Sequence, residues 1–252
     1  MIDIKKPAQI DKLRKANNIV ARTLDFLEQN IRIGMSLKEI DAMAEEFILS
    51  CGAKPSFKGL YGFSGAICTS LNEVCIHGIP DEKILKEGDI LGLDVGTFLD
   101  GYYGDAARTI AIGEISKKDE ELIACAKDTL YYAAGLIKEG MRFKELSLAL
   151  GEFITSRGFV PLRGYCGHGI GQSPHTEPEI PNYLEKGVKA TSGPKIKNGM
   201  VFCVEPMICQ KDGTPKHYQG KWDAGSVDGL NSAHYEHCFA VIDGKAEILS
   251  LS

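Results

Sequence analysis

The 252-residue sequence contains no CxxC pair, and its eight cysteines, at 51, 68, 75, 125, 166, 203, 209 and 238, follow no framework spacing. That excludes a zinc ribbon or a disulfide scaffold, and a chain this long needs no covalent staples. The thiols read as reduced and mostly core. No apolar stretch approaches the roughly 20 residues of a membrane-spanning helix, and the opening MIDIKKPAQIDKLRK lacks a signal-peptide core. A cytosolic protein without membrane contact is the expectation. Basic residues never run beyond pairs such as Lys5-Lys6 and Lys117-Lys118, and the net charge is −5. No nucleic-acid footprint is present, so no DNA partner is expected. Tryptophan occurs once, at 222. What remains is ordinary globular composition, 44% hydrophobic and 25% charged, enough for one large core or two small ones.

In LGLDVGTFLDGYYGDAARTIAIG, Leu91 to Gly113, two strand-like runs flank Asp100-Gly101, the dipeptide of a two-residue hairpin turn. Such a turn sets residues whose numbers sum to 201 opposite one another. Asp94 then faces Ala107, and Asp105 lies two positions along on the same face as a diagonal neighbour. Two ionised carboxylates held that close among Leu93, Val95 and Ile110 repel and lose hydration. One must hold a proton unless a cation lies between them, and a divalent metal is the economical answer. For either aspartate alone, capping a turn or pairing with Arg108 is the structural alternative.

The sequence also repeats itself. Shifted by 106 positions, TLDFLEQNIRIGMSLKEIDAMAEEFILSCGAKP aligns without a gap with TLYYAAGLIKEGMRFKELSLALGEFITSRGFVP. Gly34-Met35, Lys38, Glu39 and Pro55 recur as Gly140-Met141, Lys144, Glu145 and Pro161. Each copy predicts a long amphipathic helix, a Gly-Met break and a second helix ending at a glycine. Ser36 and Glu39 have the spacing of a capping box. The period is too long for a solenoid, so one supersecondary unit is used twice. LKEGDILGLDV and IKNGMVFCVEP extend the echo, each setting a Lys-x-Gly turn six residues ahead of a carboxylate, Asp94 or Glu205. The predicted architecture is α+β: two related halves, helices outside a strand layer, and a ligand held between them.

His168 and His175 lie in GYCGHGIGQSPHTEPEIPNY, where Gly167, Gly169, Gly171 and Pro174 forbid a continuous helix and hence a helical HExxH zinc site. Small neighbours let backbone and substrate approach a histidine closely, although a satisfied structural role is the alternative for each. Glu205 lies in MVFCVEPMI, an apolar strand where an unpaired glutamate is costly, and Pro206 biases it toward extended backbone. Glu236 lies in SAHYEHCFAVI, at the mouth of another apolar strand. Alternation puts His234 and Glu236 on one face and His237 on the other. His217, His234 and His237 are expected to be spectators. Asp94, Asp105, His168, Glu205 and Glu236 thus form an oxygen-rich set suited to divalent manganese, iron or cobalt, and bridging carboxylates accommodate two ions.

The motifs SLNEVCIHGIP, YYGDAARTIAIG, GHGIG followed by His175, VFCVEPM and SAHYEH occur in this order from about Ile10 to the carboxyl terminus. In order and spacing they resemble the type I methionine aminopeptidases of the pita-bread metallopeptidase family. The resemblance implies a curved antiparallel sheet with helices outside it, in two pseudo-symmetric halves that make one catalytic domain over residues 1–252. It implies a dinuclear site of cobalt, manganese or iron in which Asp94, Asp105, His168, Glu205 and Glu236 are the ligands and Asp105 and Glu236 bridge. In that scheme the ions acidify the water that attacks the first peptide carbonyl, and Glu205 carries a proton toward the leaving amine. His175 stabilises the oxyanion, and His77 holds the amide nitrogen of the second residue. Phe63, Cys68, His77 and Trp222 line the implied methionine pocket. The implied substrates are nascent polypeptide N-termini with a small second residue, met at the ribosome by a monomeric cytoplasmic enzyme.

The sequence departs from that family at three places. Pro174 and Thr176 stand where a bulky residue and a glutamate usually flank the second histidine, and Leu60 replaces a usual pocket tyrosine. Side-chain preference is therefore expected to differ at the pocket wall. Two rivals share the fold. Xaa-Pro-directed peptidases normally carry a large extra amino-terminal domain, whereas the half-repeats here begin almost at residue 10. Non-catalytic pita-bread binding proteins have typically lost metal ligands, whereas all five are present.

Overall fold

The computed structural model of the chain describes residues 2–218, 220 and 222–252. The first half contributes α1 (Pro7–Asn30), α2 (Leu37–Ser50), β1 (Lys54–Pro55), β2 (Cys68–Leu71), β3 (Val74–Ile76), β4 (Ile90–Leu99) and β5 (Tyr102–Ala111). The second contributes α3 (Lys117–Leu136), α4 (Phe143–Ser156), β6 (Val160–Pro161), β7 (Cys166–Gly169), β8 (Thr176–Pro181), β9 (Val201–Val204) and β10 (Met207–Cys209). It continues through β11 (Pro215–Lys216), β12 (Ala224–Ser226), β13 (Ser232–His234), β14 (His237–Ile242) and β15 (Lys245–Ile248).

The repeat read from the sequence is a repeat of structure. α2 and α4 begin and end at the same 106-residue offset, as do β1 and β6. At the start of α2 the Ser36 hydroxyl accepts from the Glu39 N–H at 3.1 Å while the Glu39 carboxylate accepts from the Ser36 N–H at 2.7 Å. In α4 only the return bond survives as a side-chain cap of this kind, with Glu145 accepting from the Arg142 N–H at 2.7 Å. The Gly-Met breaks adopt the left-handed backbone that favours glycine, with φ 92° at Gly34 and 89° at Gly140. Gly34 donates to the Leu85 carbonyl and Gly140 to that of Ile196, each at 2.9 Å. Each helical hairpin is thereby docked on the segment that leads into its own carboxylate strand.

The β4–β5 hairpin has the predicted register: Asp94 pairs with Ala107 and Gly96 with Asp105. Both turn residues have positive φ, 50° at Asp100 and 84° at Gly101, as a type I′ turn requires. Gly104 lets α1 lie directly on this hairpin, because a Cβ there would come within 2.7 Å of the Ala16 backbone. Arg108 turns toward α1 and pairs with Asp25 at 3.0 Å and with Glu28, so it is no partner of either aspartate.

Among the described residues every strand pairing is antiparallel, and the layer is segmented into four sheets. β4 pairs with β1, β2 and β5; the others run β13-β10-β6, β11-β12-β3 and β15-β14-β9-β7-β8. One break falls at Glu205-Pro206 between β9 and β10, where proline has no N–H to give a ladder. Each half has its own apolar core: Leu24, Ile40, Leu91 and Ile110 belong to one, Leu146, Phe202, Val204 and Phe239 to the other. Among the described residues, no helix is long and apolar enough to cross a membrane.

Candidate active site

The seam between the halves assembles the acidic cluster. Ala107, which faces Asp94 across the hairpin, exchanges backbone hydrogen bonds with Glu236 (3.3 and 2.9 Å). Asp94, Asp105 and Glu236 therefore project from one face, and one oxygen of each lies within 4.8 Å of the others. In the second half β14 pairs with β9 through His237 and Val204, and Glu236 and Glu205 are the chain neighbours of that pair. His168 arrives on β7 between two glycines that admit no side chain. A Cβ at Gly167 would lie 2.4 Å from the Cys203 carbonyl oxygen, and one at Gly169 would lie 2.1 Å from that of Glu177. His168 Nε2 then stands 3.5 Å from Glu205 Oε1, 3.9 Å from Glu236 Oε1 and 4.0 Å from Asp105 Oδ2.

Local hydrogen bonds hold the supporting backbone. Asn17 on α1 accepts from the Asp105 N–H at 3.2 Å, and buried Asn182 donates to the Glu205 carbonyl at 2.8 Å. Cys68 is the cross-strand partner of Asp94.

This arrangement is electrostatically incomplete without a cation. His168 Nδ1 lies 3.1 Å from the Gly169 carbonyl, which can only accept, so Nδ1 carries the proton and the Nε2 lone pair points at carboxylate oxygens. Burial drives the Asp94 pKa up to about 6. Burial, and then the charge of neighbouring carboxylates, holds Asp105, Glu205 and Glu236 well above the ordinary range. Burial pulls His168 down to about 3. Asp94 Oδ1, Asp105 Oδ1 and Glu236 Oε1 have no hydrogen-bond partner among the described residues. Buried acceptors facing acceptors are costly, and divalent ions held by oxygen and imidazole remove that cost.

A cavity of about 500 Å³ opens on the cluster. Phe57, Phe63 and Cys68, with Leu60 and Trp222 against them, form an apolar wall of this cavity, and the Phe63 and Trp222 rings meet edge to face at 5.9 Å. Because Cys68 is the cross-strand partner of Asp94, the apolar wall begins where the carboxylates end. His77 and His175 both line the cavity. The His175 ring lies perpendicular to that of His168, with centroids 4.4 Å apart. His77 is held at φ 56°, an uncommon conformation for a non-glycine residue, and burial lowers its pKa to about 4.

With that geometry in place, the comparisons with known proteins decide the family. The model of metallopeptidase family M24 matches residues 11–243. The chain belongs to metallopeptidase family M24. It is 60% identical to the methionine aminopeptidase of Helicobacter pylori strain J99 over 249 residues, 99% of this chain and 98% of that protein. Its structure resembles the methionine aminopeptidase of Thermotoga maritima with a TM-score of 0.95 at 37% identity, covering 100% of both chains. It resembles the prolidase of Pyrococcus furiosus with a TM-score of 0.80 at 24% identity, covering 99% of this chain and 65% of that one. The latter likeness establishes a shared fold only.

His234, expected to be a spectator, is buried beside the acidic cluster, with Nε2 3.5 Å from Glu205 Oε2. Strand alternation had already placed it on the face of Glu236, but alternation gives direction and not depth. His237 does turn away, with Nδ1 2.8 Å from Ser250 Oγ, and His217 Nδ1 lies 2.6 Å from the Asp223 carbonyl. Phe57, absent from the expected pocket, forms part of its wall. Of the unusual residues, Leu60 and Thr176 line the cavity while Pro174 does not.

Proposed function

We propose that this M24 metallopeptidase removes the N-terminal methionine from nascent proteins and peptides whose second residue is small, acting as a cytoplasmic monomer. The observation that carries the reading is the junction of Cys68 and Asp94, where an apolar wall adjoins a cation-demanding cluster inside one cavity. An unbranched apolar side chain fits the wall while its own peptide carbonyl reaches the cluster. Asp94, Asp105, His168, Glu205 and Glu236 would hold two divalent ions of cobalt, manganese or iron. When bound, such ions polarise the scissile carbonyl and acidify the attacking water.

The chain's own groups supply the remaining chemistry. Glu205, whose pKa burial raises well above the ordinary range, is suited to take a proton and pass it to the leaving amine. His175 has a pKa lowered by partial burial, so it is a neutral imidazole near pH 7 and offers one N–H to the developing oxyanion. His77 is likewise neutral and held by its backbone, suited to orient the amide of the second residue. His175→Ala is expected to lower kcat by about a hundredfold with KM nearly unchanged, the signature of an interaction made in the transition state. A change confined to KM would remove His175 from that role.

The reading as a whole is tested by hydrolysis of Met-Ala-Ser, Met-Lys-Ser and Leu-Pro peptides after chelation and readdition of each metal. Metal-dependent release of methionine from Met-Ala-Ser, with Met-Lys-Ser refused, is expected. Efficient cleavage of Leu-Pro with little action on Met-Ala-Ser would overturn it in favour of a proline-directed peptidase. No turnover of any peptide by the metal-loaded protein would favour a binding protein. The pocket is tested separately: Phe63→Ala is expected to lower kcat/KM for Met-Ala-Ser by about ten- to two-hundredfold, the worth of a few methylene contacts, while bound metal is unchanged.

A further inference from the structure

We propose that His234 is a positioning residue that ties one oxygen of Glu205, so that the other is presented to the metal; the inference rests on the metallopeptidase reading of this cluster. The Glu205 carboxylate lies between two imidazoles, Oε1 3.5 Å from His168 Nε2 and Oε2 3.5 Å from His234 Nε2. The two rings are not equivalent. His168 donates its proton to a backbone carbonyl, so its Nε2 faces Glu205 with a lone pair, and only a cation between them satisfies both. His234 Nε2 is buried and has no hydrogen-bond partner among the described residues, and the Glu205 oxygen is the acceptor it faces.

His234 is also rigidly mounted. The Thr109 hydroxyl accepts from its N–H and donates to its carbonyl, both at 2.9 Å, and the residue pairs with Met207 across β13 and β10. Only 3% of it is exposed, and it is not among the residues that line the cavity. An N–H at Nε2 that closed this 3.5 Å approach to a hydrogen bond would stop the Glu205 carboxylate from rotating and leave Oε1 for the ion. Partners of ligating groups typically carry a ten- to hundredfold effect on metal affinity or activity.

The test compares His234→Leu, which keeps the volume without a donor, and His234→Gln, which keeps an N–H at similar reach. Mn²⁺ affinity is measured by calorimetry, kcat and KM with Met-Ala-Ser, and imidazole nitrogen couplings by pulsed EPR on the Mn²⁺-loaded protein. His234→Leu is expected to weaken Mn²⁺ binding or lower kcat by about ten- to hundredfold, with KM within about threefold. His234→Gln is expected to recover most of the loss, and the single imidazole coupling, from His168, is expected to persist in both. Unchanged affinity and kcat in the leucine variant would overturn the proposal, as would a second imidazole coupling lost on substitution, which would make His234 a ligand. Failure of the metallopeptidase reading is distinguished beforehand, because the unsubstituted protein would then bind no Mn²⁺ or, loaded with it, release no methionine from Met-Ala-Ser.

Discussion

Glu236→Ala is expected to reduce Met-Ala-Ser hydrolysis at least about a thousandfold and to lower the bound metal per chain. The size follows from losing several kcal/mol of charge stabilisation at about 1.4 kcal/mol per tenfold in rate. The fold is expected to survive, because Glu236 is anchored through its backbone bridge to Ala107 rather than through its side chain. Glu236 is buried against three other carboxylates and its Oε1 has no partner among the described residues, so in the metal-free protein its charge opposes folding. Glu236→Gln, which keeps the volume, should therefore stabilise the metal-free protein, by about 1–3 kcal/mol, while abolishing tight metal binding. The two effects have opposite signs, which a merely structural residue would not give. Normal turnover with a full complement of metal in either variant would refute the assignment.

Much of this was legible in the chain because it is written in local rules. Asp100-Gly101 fixes one turn, the turn fixes a register, and the register places Asp94 and Asp105 on one face without further information. The 106-residue echo works similarly, since glycines with positive φ and capping glutamates are required by backbone geometry in both copies. Depth was not legible. His234 and Glu236 share a face and flank Tyr235, yet nothing in the sequence says that both reach the cluster, since that depends on long-range pairing of the segment with Thr109 and Met207. The pocket wall was only partly legible for the same reason. Phe57 and Leu60 lie outside the paired strands, Leu60 at the start of a short 3₁₀ helix, and their position depends on packing against Phe63 and Cys68. Pro174, conspicuous beside His175 in sequence, contributes nothing to the cavity wall.

Removing the ions is expected to lower Tm by about 10 °C, and the loss is expected to grow as pH rises above about 6.5. An ion at a thousandfold over its Kd adds about 4 kcal/mol, and a chain of this size shifts about 2–4 °C per kcal/mol. The pH dependence follows from the metal-free cluster. Asp94 titrates near 6 in the fold and near about 3.9 when unfolded, so its contribution is full below about 3.9 and lost as pH rises through about 6. Asp105, Glu205 and Glu236 are raised further by burial and mutual repulsion, so their losses continue to higher pH. His168, His77 and His234 act oppositely: burial lowers them to about 3, 4 and 4, below the unfolded value of about 6.5. Their contribution is present above about 6.5 and lost as pH falls through about 4 and 3. Below pH 6.5 the two sets oppose each other; above it the histidines no longer change, and the raised carboxylates, joined toward pH 9 by the buried thiols of Cys68, Cys75 and Cys203, determine the slope. The metal-free Tm should therefore fall between pH 6.5 and 9, while that of the loaded protein, whose carboxylates face cations instead of one another, should fall less. Ion binding near neutral pH must then expel protons, which calorimetry in two buffers of different ionisation enthalpy counts directly. A metal-free Tm that is constant or rises over that range, or binding without proton release, would contradict the charge arrangement described for Asp94, Asp105, Glu205 and Glu236.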